Sequence, residues 1–347
     1  MTFDIALWLS QDAVTNGAVY VLLAVALVLV YTVTRVIFVP QGEFISFAAL
    51  SLATLQDGRV PGSVYLLIGG GALVAVLDGI TAAREKKWRA LPRIVVVNVI
   101  LPLLIAAFAV WAAPRVDNVW LQILVTLAII TPLGPIVYRL AFQPVASASI
   151  LVLLIIAVAA HYILTGLGLV FFGGEGLRAH AFLQATFPLG VLNVSAQSLL
   201  VVSASVAFIL ALWVMFERTF YGKALRATAV NRIGARLVGI SAGFSGRLSF
   251  ALAALIGAAS GILIAPTTTI YYDTGFLISL KGFVGAIIGG MVSYPLAALG
   301  SLFVGFLESY SSFWASAFKE SIVFTLIIPV LLWRSLTSPR FEEDDEQ

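Results

Sequence analysis

The sequence has no cysteine and only two histidines, His161 and His180, in 347 residues. Without a thiol there is no disulfide, no iron–sulfur ligation and no thiol catalysis. Two histidines set apart argue against a metal site. Charge is scarce as well. Only 11% of the residues are Asp, Glu, Lys or Arg, against about 25% in an ordinary soluble domain. That leaves no room for a sizeable soluble domain, and the net charge of +3 comes from loops and says nothing about nucleic acid, for which no binding motif is present. Catalytic motifs are missing too: no H-E-x-x-H, no Ser–His–Asp order and no paired carboxylates. There is no P-loop of the form G-x-x-x-x-G-K-[ST], so any ATP that drives this chain must bind another polypeptide. No basic residue precedes the first apolar run, only Asp4 and Asp12. That is not the positive n-region of a secretory signal, and the first apolar segment is expected to stay as a helix.

What is present is apolar. Hydrophobic residues make up 61% of the chain, and about 20 in a row suffice to span the hydrocarbon as a helix. Apolar runs and their charged or Pro/Gly punctuation mark 14–37, a short 44–56, 63–83, 94–113, 119–138, 149–170, 198–216, 249–267, two shorter runs at 276–291 and 296–309 parted by Tyr294-Pro295, and 321–336. The expectation is an all-α polytopic transmembrane helical bundle of about 11 spans, some short or broken. Residues 1–338 are expected to form one transmembrane domain, and 339–347 an acidic, solvated tail. With the N-terminus outside and the spans alternating, only Arg59, Arg115, Arg178, Lys281 and Lys319 of the 20 Lys and Arg fall outside. The positive-inside rule therefore favours N-out and C-in.

One basic stretch, 221–248, lies between two spans and holds Lys223, Arg226, Arg232, Arg236 and Arg247 with no acid. Its apolar positions are mostly small: Gly222, Ala224, Ala227, Ala229, Gly234, Ala235, Gly239. It reads as a short helix broken by Gly239 and Gly243. A helix of small residues can press its backbone into a partner's groove. Arg232 and Arg236, four apart, would repel on one face. An ordinary positive cytoplasmic loop is the plainer reading.

The run GKALRATAVNRIGARLVGI resembles the cytoplasmic coupling loop of ABC-importer permeases of the branched-chain amino acid type, at Gly222, Lys223, Ala224, Arg226, Ala227, Ala229, Ala235, Gly239 and Ile240. VYTVTRVIFVPQGEF resembles the family's first-helix end, and GFLISLKGFVGAIIGGMVSYPLAALGSLFVGFLES and SIVFTLIIPVLLWR resemble its last helices, in the same order. The resemblance implies a multi-pass subunit of a bacterial inner-membrane importer with no cofactor of its own. ATP-Mg would sit on two cytoplasmic ATPase subunits that contact the coupling loop. A second, related permease subunit, or a second copy of this one, would complete the path, and a soluble extracytoplasmic binding protein would deliver an amino acid or related small polar or organic acid. Around the path it implies Gln41, Gly42, Glu43, Ser46, Lys281, Gly289 and Ser293. The chain departs from the family in one place: about 100 residues, rather than about 50, separate Gly42-Glu43 from Phe142-Gln143-Pro144-Val145. The surplus fits an extra helical hairpin near 70–115, placed on the lipid-facing periphery, and Gln143 stands where the family has arginine.

Several single residues carry their own expectations. Glu43 is either a functional intramembrane carboxylate or a helix-start acid favoured by the dipole. Lys281 reads as a lysine snorkelling to the outer interface. Glu308 can pair with Lys319 or Lys281, Asp78 with the Arg84 region, and His161 reads as a hydrogen-bonded packing residue. The extracytoplasmic loop 173–195 suits a binding-protein surface. Gly257/Gly261 and Gly285/Gly289 have the GxxxG spacing that lets helices approach closely. A stand-alone secondary transporter or channel is the alternative, and would show charges deep in several spans; a membrane-embedded enzyme would show clustered nucleophiles or metal ligands.

Overall fold

Inside a bilayer nearly every helix is apolar, so hydrophobicity does not say which helices are central. Small and hydroxyl residues do, because they let backbones approach and give polar groups a partner. The computed structural model describes residues 3–189 and 192–337, and follows this rule. The acidic tail expected at 339–347 lies outside the described residues.

The first elements are α1 (Phe3–Thr34), α2 (Gln41–Gln56) and α3 (Ser63–Arg84). A tight turn leads to α4 (Leu91–Val95) and α5 (Leu101–Ala112), then α6 (Val119–Ile130), α7 (Leu133–Val137) and α8 (Ile150–Phe172). A small antiparallel hairpin of β1 (Thr186–Leu189) and β2 (Leu192–Ser195) precedes α9 (Ala196–Arg218). Then come α10 (Phe220–Val230), α11 (Arg232–Leu237), α12 (Ala242–Ile264), α13 (Thr274–Ile288), α14 (Tyr294–Trp314), α15 (Lys319–Thr325) and α16 (Ile327–Thr337).

The centre is built from α1, α2, α12 and α13. α2 carries Ser46, Ala48, Ala49, Ser51 and Ala53, and all are buried. α12 carries Ala253, Ala254, Gly257, Ala258, Ala259, Ser260 and Gly261, also buried. By contrast α5, α8 and α9 present large side chains outward, among them Leu104, Ile155 and Leu210. Both GxxxG pairs are contact points. A Cβ on Gly261 would lie 2.3 Å from the Ile45 carbonyl oxygen, and one on Gly285 would lie 2.0 Å from Ser301 Oγ.

Among the described residues nine helical segments are long and apolar enough to cross a membrane. α2 and α13, of 16 and 15 residues, are about 24 and 22 Å long at 1.5 Å per residue, short of a ~30 Å core. The chain around Pro295 differs from expectation. α14 is a full 21-residue helix starting at Tyr294, because a proline in the first turn lacks only an N–H that would have had no partner. α1 also begins well before residue 14. Its polar start is covered by α14: Ser309 Oγ donates to the Leu9 carbonyl (2.7 Å) and Ser10 shares a 3.0 Å hydrogen bond with Tyr310. Breaks elsewhere track proline, which removes an i→i−4 bond. The last segment breaks at Leu326 ahead of Pro329, and the outer hairpin arm carries a π-turn (Val96–Ile100) ahead of Pro102.

Candidate functional site

The chain folds back on itself between α1 and α2. Arg35 turns at φ 61 and the next residues run to Pro40, whose φ of −69 starts α2. Phe38 is fully buried and packs against Phe44, Phe142 and Phe250 with ring centroids 5.8, 6.0 and 4.6 Å apart. This anchor holds the first turn of α2 inside the protein, so Gln41, Gly42 and Glu43 are all buried. The first turn of α13 meets it. A Cβ on Gly42 would lie 2.5 Å from the Gly275 carbonyl oxygen, and the Gly275 N–H donates to Ser46 Oγ at 2.8 Å. Two shortened helices therefore start against each other.

Glu43 is no bare helix-start acid. Its Oε1 lies 2.5 Å from His161 Nδ1 and accepts a longer bond from Thr165 Oγ1 at 3.3 Å. The His161 ring stacks on Phe276, centroids 4.4 Å apart. The Nε2 of Gln41 donates to the Ala253 carbonyl at 3.0 Å. Glu43 Oε2 and Gln41 Oε1 have no hydrogen-bond partner among the described residues. Buried acceptors without partners are rare and mark places where a ligand, a water or a rearrangement supplies one.

Lys281 does not snorkel. It is 6% exposed, midway along α13, and pairs with Glu308 of α14. Tyr20 of α1 donates to Glu308 Oε2 at 2.5 Å, and the ammonium lies 5.8 Å from the Tyr20 ring centroid. With α1 and α14 packed along α13, the ammonium has no route to the interface and takes a buried carboxylate instead. Gly289 and Ser293 lie at the far end of α13, where Gly289 packs on Ala297 and Ser293 caps α14. The path candidates thus fall in three places: Gln41, Gly42, Glu43 and Ser46 together, Lys281 by itself, and Gly289 with Ser293. Asp78 pairs with Arg139 at 2.6 Å rather than with the Arg84 region.

The basic stretch forms two short helices, α10 and α11, not one. The break falls at Asn231, whose side chain accepts from the Gly234 N–H (2.8 Å) and caps α11, as Thr219 caps α10 through the Gly222 N–H (3.0 Å). Such caps satisfy N–H groups that a helix start leaves open. Gly243 breaks nothing, since it lies in the first turn of α12, which Ser241 caps. Gly239 does turn the chain, at φ +88, a conformation that suits glycine.

One side of this loop is sealed onto the bundle. Gly222, Leu225 and Thr228, three apart, are buried. Leu225 packs with Leu29 and Val33 of α1, and Thr228 shares a 3.0 Å hydrogen bond with Ser245 of α12. Both Arg232 Nε and a terminal nitrogen donate to the Val33 carbonyl, at 3.1 and 2.8 Å, covering an open carbonyl at the end of α1. Burial, and then the nearby Arg35, hold the Arg232 guanidinium below its ordinary value. Arg236, on the exposed side, also lowers the Arg232 value through its charge, the repulsion expected of two arginines four apart on a helix. That exposed side shows Phe220, Tyr221, Val230, Ile233, Leu237 and Val238, together with Lys223. Arg226 is exposed and pairs with Glu217 at 3.0 Å. Of the small residues, Gly222 and Ala235 face inward, Ala224, Ala227 and Ala229 sit at the margin, and Gly239 is exposed.

The loop 173–195 is tethered rather than free. Leu177 and Ile270 exchange backbone hydrogen bonds of 2.9 Å, Arg178 donates to the carbonyls of Pro266 and Thr267, and the His180 N–H donates to Gln56. Phe187 in its β-hairpin is exposed. Sequence reasoning missed Tyr20 and Thr165 as partners. Nothing in the local pattern links Tyr20 to Glu308 or Thr165 to Glu43, which lie 288 and 122 residues apart.

A family model described as the permease component of branched-chain amino acid transport systems matches residues 101–332. The high-affinity branched-chain amino acid transport system permease protein LivH of Escherichia coli (strain K12) is 26% identical over 228 residues, covering 62% of this chain and 74% of that protein. BraD of Pseudomonas aeruginosa, described as a permease protein of the same kind of system, is 26% identical over 239 residues, covering 66% and 78%. No solved structure matches.

Proposed function

The chain belongs to the branched-chain amino acid transport permease family, and from that premise we propose that it forms one half of the translocation path of an ATP-driven importer. The solute is an amino acid or a related small polar or organic acid, handed over by a soluble binding protein on the outside. The N-terminus is outside and the C-terminus inside, which puts the 221–248 loop in the cytoplasm beside two ATPase subunits.

The observation that carries this reading is the two-sided loop. One side is tied to α1 by Leu225 and Arg232 and to α12 by Thr228. The other side exposes six large apolar residues among cations. An exposed apolar patch rimmed by charge is what a docking surface needs. A push on its outer face reaches α1 through the Arg232–Val33 bond. The end of α1 leads directly into the turn that positions Gln41 and Glu43. ATP-driven movement at the loop would thus shift the α2–α13 junction, where the solute passes. The polar groups available to it there are Gln41, Glu43 and Ser46; Lys281, held by Glu308, and Gly289 and Ser293, held in helix packing and capping, lie away from this junction.

The test is co-purification. Ala227→Glu places a carboxylate at the margin of the docking face, and Gly239→Val forces a β-branched residue into φ +88. Both variants are expected to insert normally and to lose the ATPase subunits. Full assembly by both would reduce the stretch to an ordinary basic loop. The identity of the solute is read from the ligand of the cognate binding protein.

A further inference from the structure

The hairpin of α3, α4 and α5 borders a groove. α3, α4 and α5 form one wall, and the 132–139 segment with the first turns of α12 forms the other. Its volume is about 580 Å³. Its mouth holds Arg93, Arg139 and Arg247 against a single acid, Asp78. Asp78 is taken by Arg139. Arg93 and Arg247 are exposed and form no ion pair among the described residues. Away from the mouth the lining is apolar apart from Asn98. Ile94, Val97, Leu101 and Ile105 recur every three or four residues, one stripe along a helix face. From 94 to 105 that stripe is about 16 Å long at 1.5 Å per residue, close to half of a ~30 Å hydrocarbon core.

We propose that this groove binds an acidic glycerophospholipid, with the phosphate and anionic headgroup between Arg93 and Arg247 and an acyl chain along the Ile94–Ile105 stripe. Shape and charge agree. A cationic mouth opening into an apolar shaft half a bilayer long fits one leaflet's worth of an anionic amphiphile. A free anion would use the arginines and leave the shaft empty. A zwitterionic lipid would bring its own cation to a mouth that already has an excess of positive charge. The mouth lies at the same end of the bundle as the basic loop: Phe244, which lines it, packs against Tyr221 with ring centroids 6.0 Å apart. Bound lipid would therefore brace the start of α12, onto which the loop is sealed. The inference requires only that the chain spans a bilayer and does not depend on the solute or on ATP.

The experiment uses the full-length protein in nanodiscs of equal phosphatidylglycerol and phosphatidylcholine, with native mass spectrometry of the lipid that stays bound on release. Wild type is expected to retain phosphatidylglycerol in preference. Arg93→Gln with Arg247→Gln is expected to lower that preference by about 25-fold, taking about fivefold for each basic residue facing an anionic headgroup. Arg84→Gln with Lys87→Gln, at the hairpin tip and outside the groove, is expected to leave it unchanged. Equal retention of the two lipids by wild type overturns the proposal, and that arm needs no variant to fold. It is also overturned if the groove and tip variants fall equally, which would mean diffuse surface charge. Displacement of phosphatidylglycerol by inorganic phosphate would mark a free-anion site, and displacement by an added permease subunit would mark a protein interface; either result overturns it too.

Discussion

Removing one partner of the buried Lys281–Glu308 pair should cost far more than removing both. The side chains of Lys281 and Glu308 are only 8% and 12% exposed, so Glu308→Ala leaves an ammonium with no carboxylate and no path to water. The lost hydrogen bond is the smaller effect, since interhelical polar contacts in membranes average about 0.6 kcal/mol. The uncompensated charge is the larger one. A lysine at a helix centre costs about 2.5–3.5 kcal/mol, and breaking a buried pair costs about 3–5 kcal/mol. Glu308→Ala is therefore expected to lose about 3 kcal/mol, and Tyr20→Phe, which removes only the 2.5 Å bond to Glu308, about 1 kcal/mol. Lys281→Met combined with Glu308→Leu removes both charges and keeps the volume, and is expected to recover most of the loss. The assay is reversible unfolding of the purified protein in mixed micelles with increasing sodium dodecyl sulfate, with Lys281→Met, Glu308→Leu and the two combined run as a double-mutant cycle. Strict additivity, or a silent Glu308→Ala, would refute the argument that the pair is buried and mutually required.

Other perturbations test other joints. Gly42→Ala and Gly275→Ala each place a methyl group within 2.5 Å of the facing backbone; neither backbone can step aside, so each is expected to cost at least about 1–3 kcal/mol, read as loss of monodisperse protein on size-exclusion chromatography. Arg232→Ala removes both bonds to the Val33 carbonyl and is expected to leave the ATPases bound while lowering transport per ATP hydrolysed; equal losses of binding and transport would place Arg232 on the docking face instead. The orientation is read by labelling, which is clean in a chain without cysteine: Gln11→Cys is expected to react with an impermeant reagent in intact cells and Ser338→Cys to be shielded, and the reverse pattern would invert the topology.

Much of the architecture was legible in the sequence because the bilayer enforces it. Long apolar runs must be helices when no water is available to backbone groups, and small residues must be where helices meet, as Gly261 and Gly285 show. Residues whose role depends on which helices become neighbours were not legible. Lys281 read as an interfacial lysine, which depends on helix packing, although Lys281 was one of the two partners offered for Glu308 and is the one found. Asp78 read as a partner of the nearby arginines and found Arg139, 61 residues on. Local chemistry misled at Gly243, where a glycine after a capping serine starts a helix rather than ending one, and at Asn231, whose capping side chain makes the real break. Pro295 misled for a similar reason, since a proline that would break a helix interior instead opens α14.

The central claim is that ATP hydrolysis on partner subunits, delivered through the 221–248 loop, drives solute across this chain. The most direct measurement is solute uptake into vesicles reconstituted with the permease, its ATPases and its binding protein. The account predicts uptake that requires ATP and is abolished by Ala227→Glu while the protein remains inserted. Uptake by the permease alone, driven by an ion gradient and indifferent to ATP and to Ala227→Glu, would contradict it.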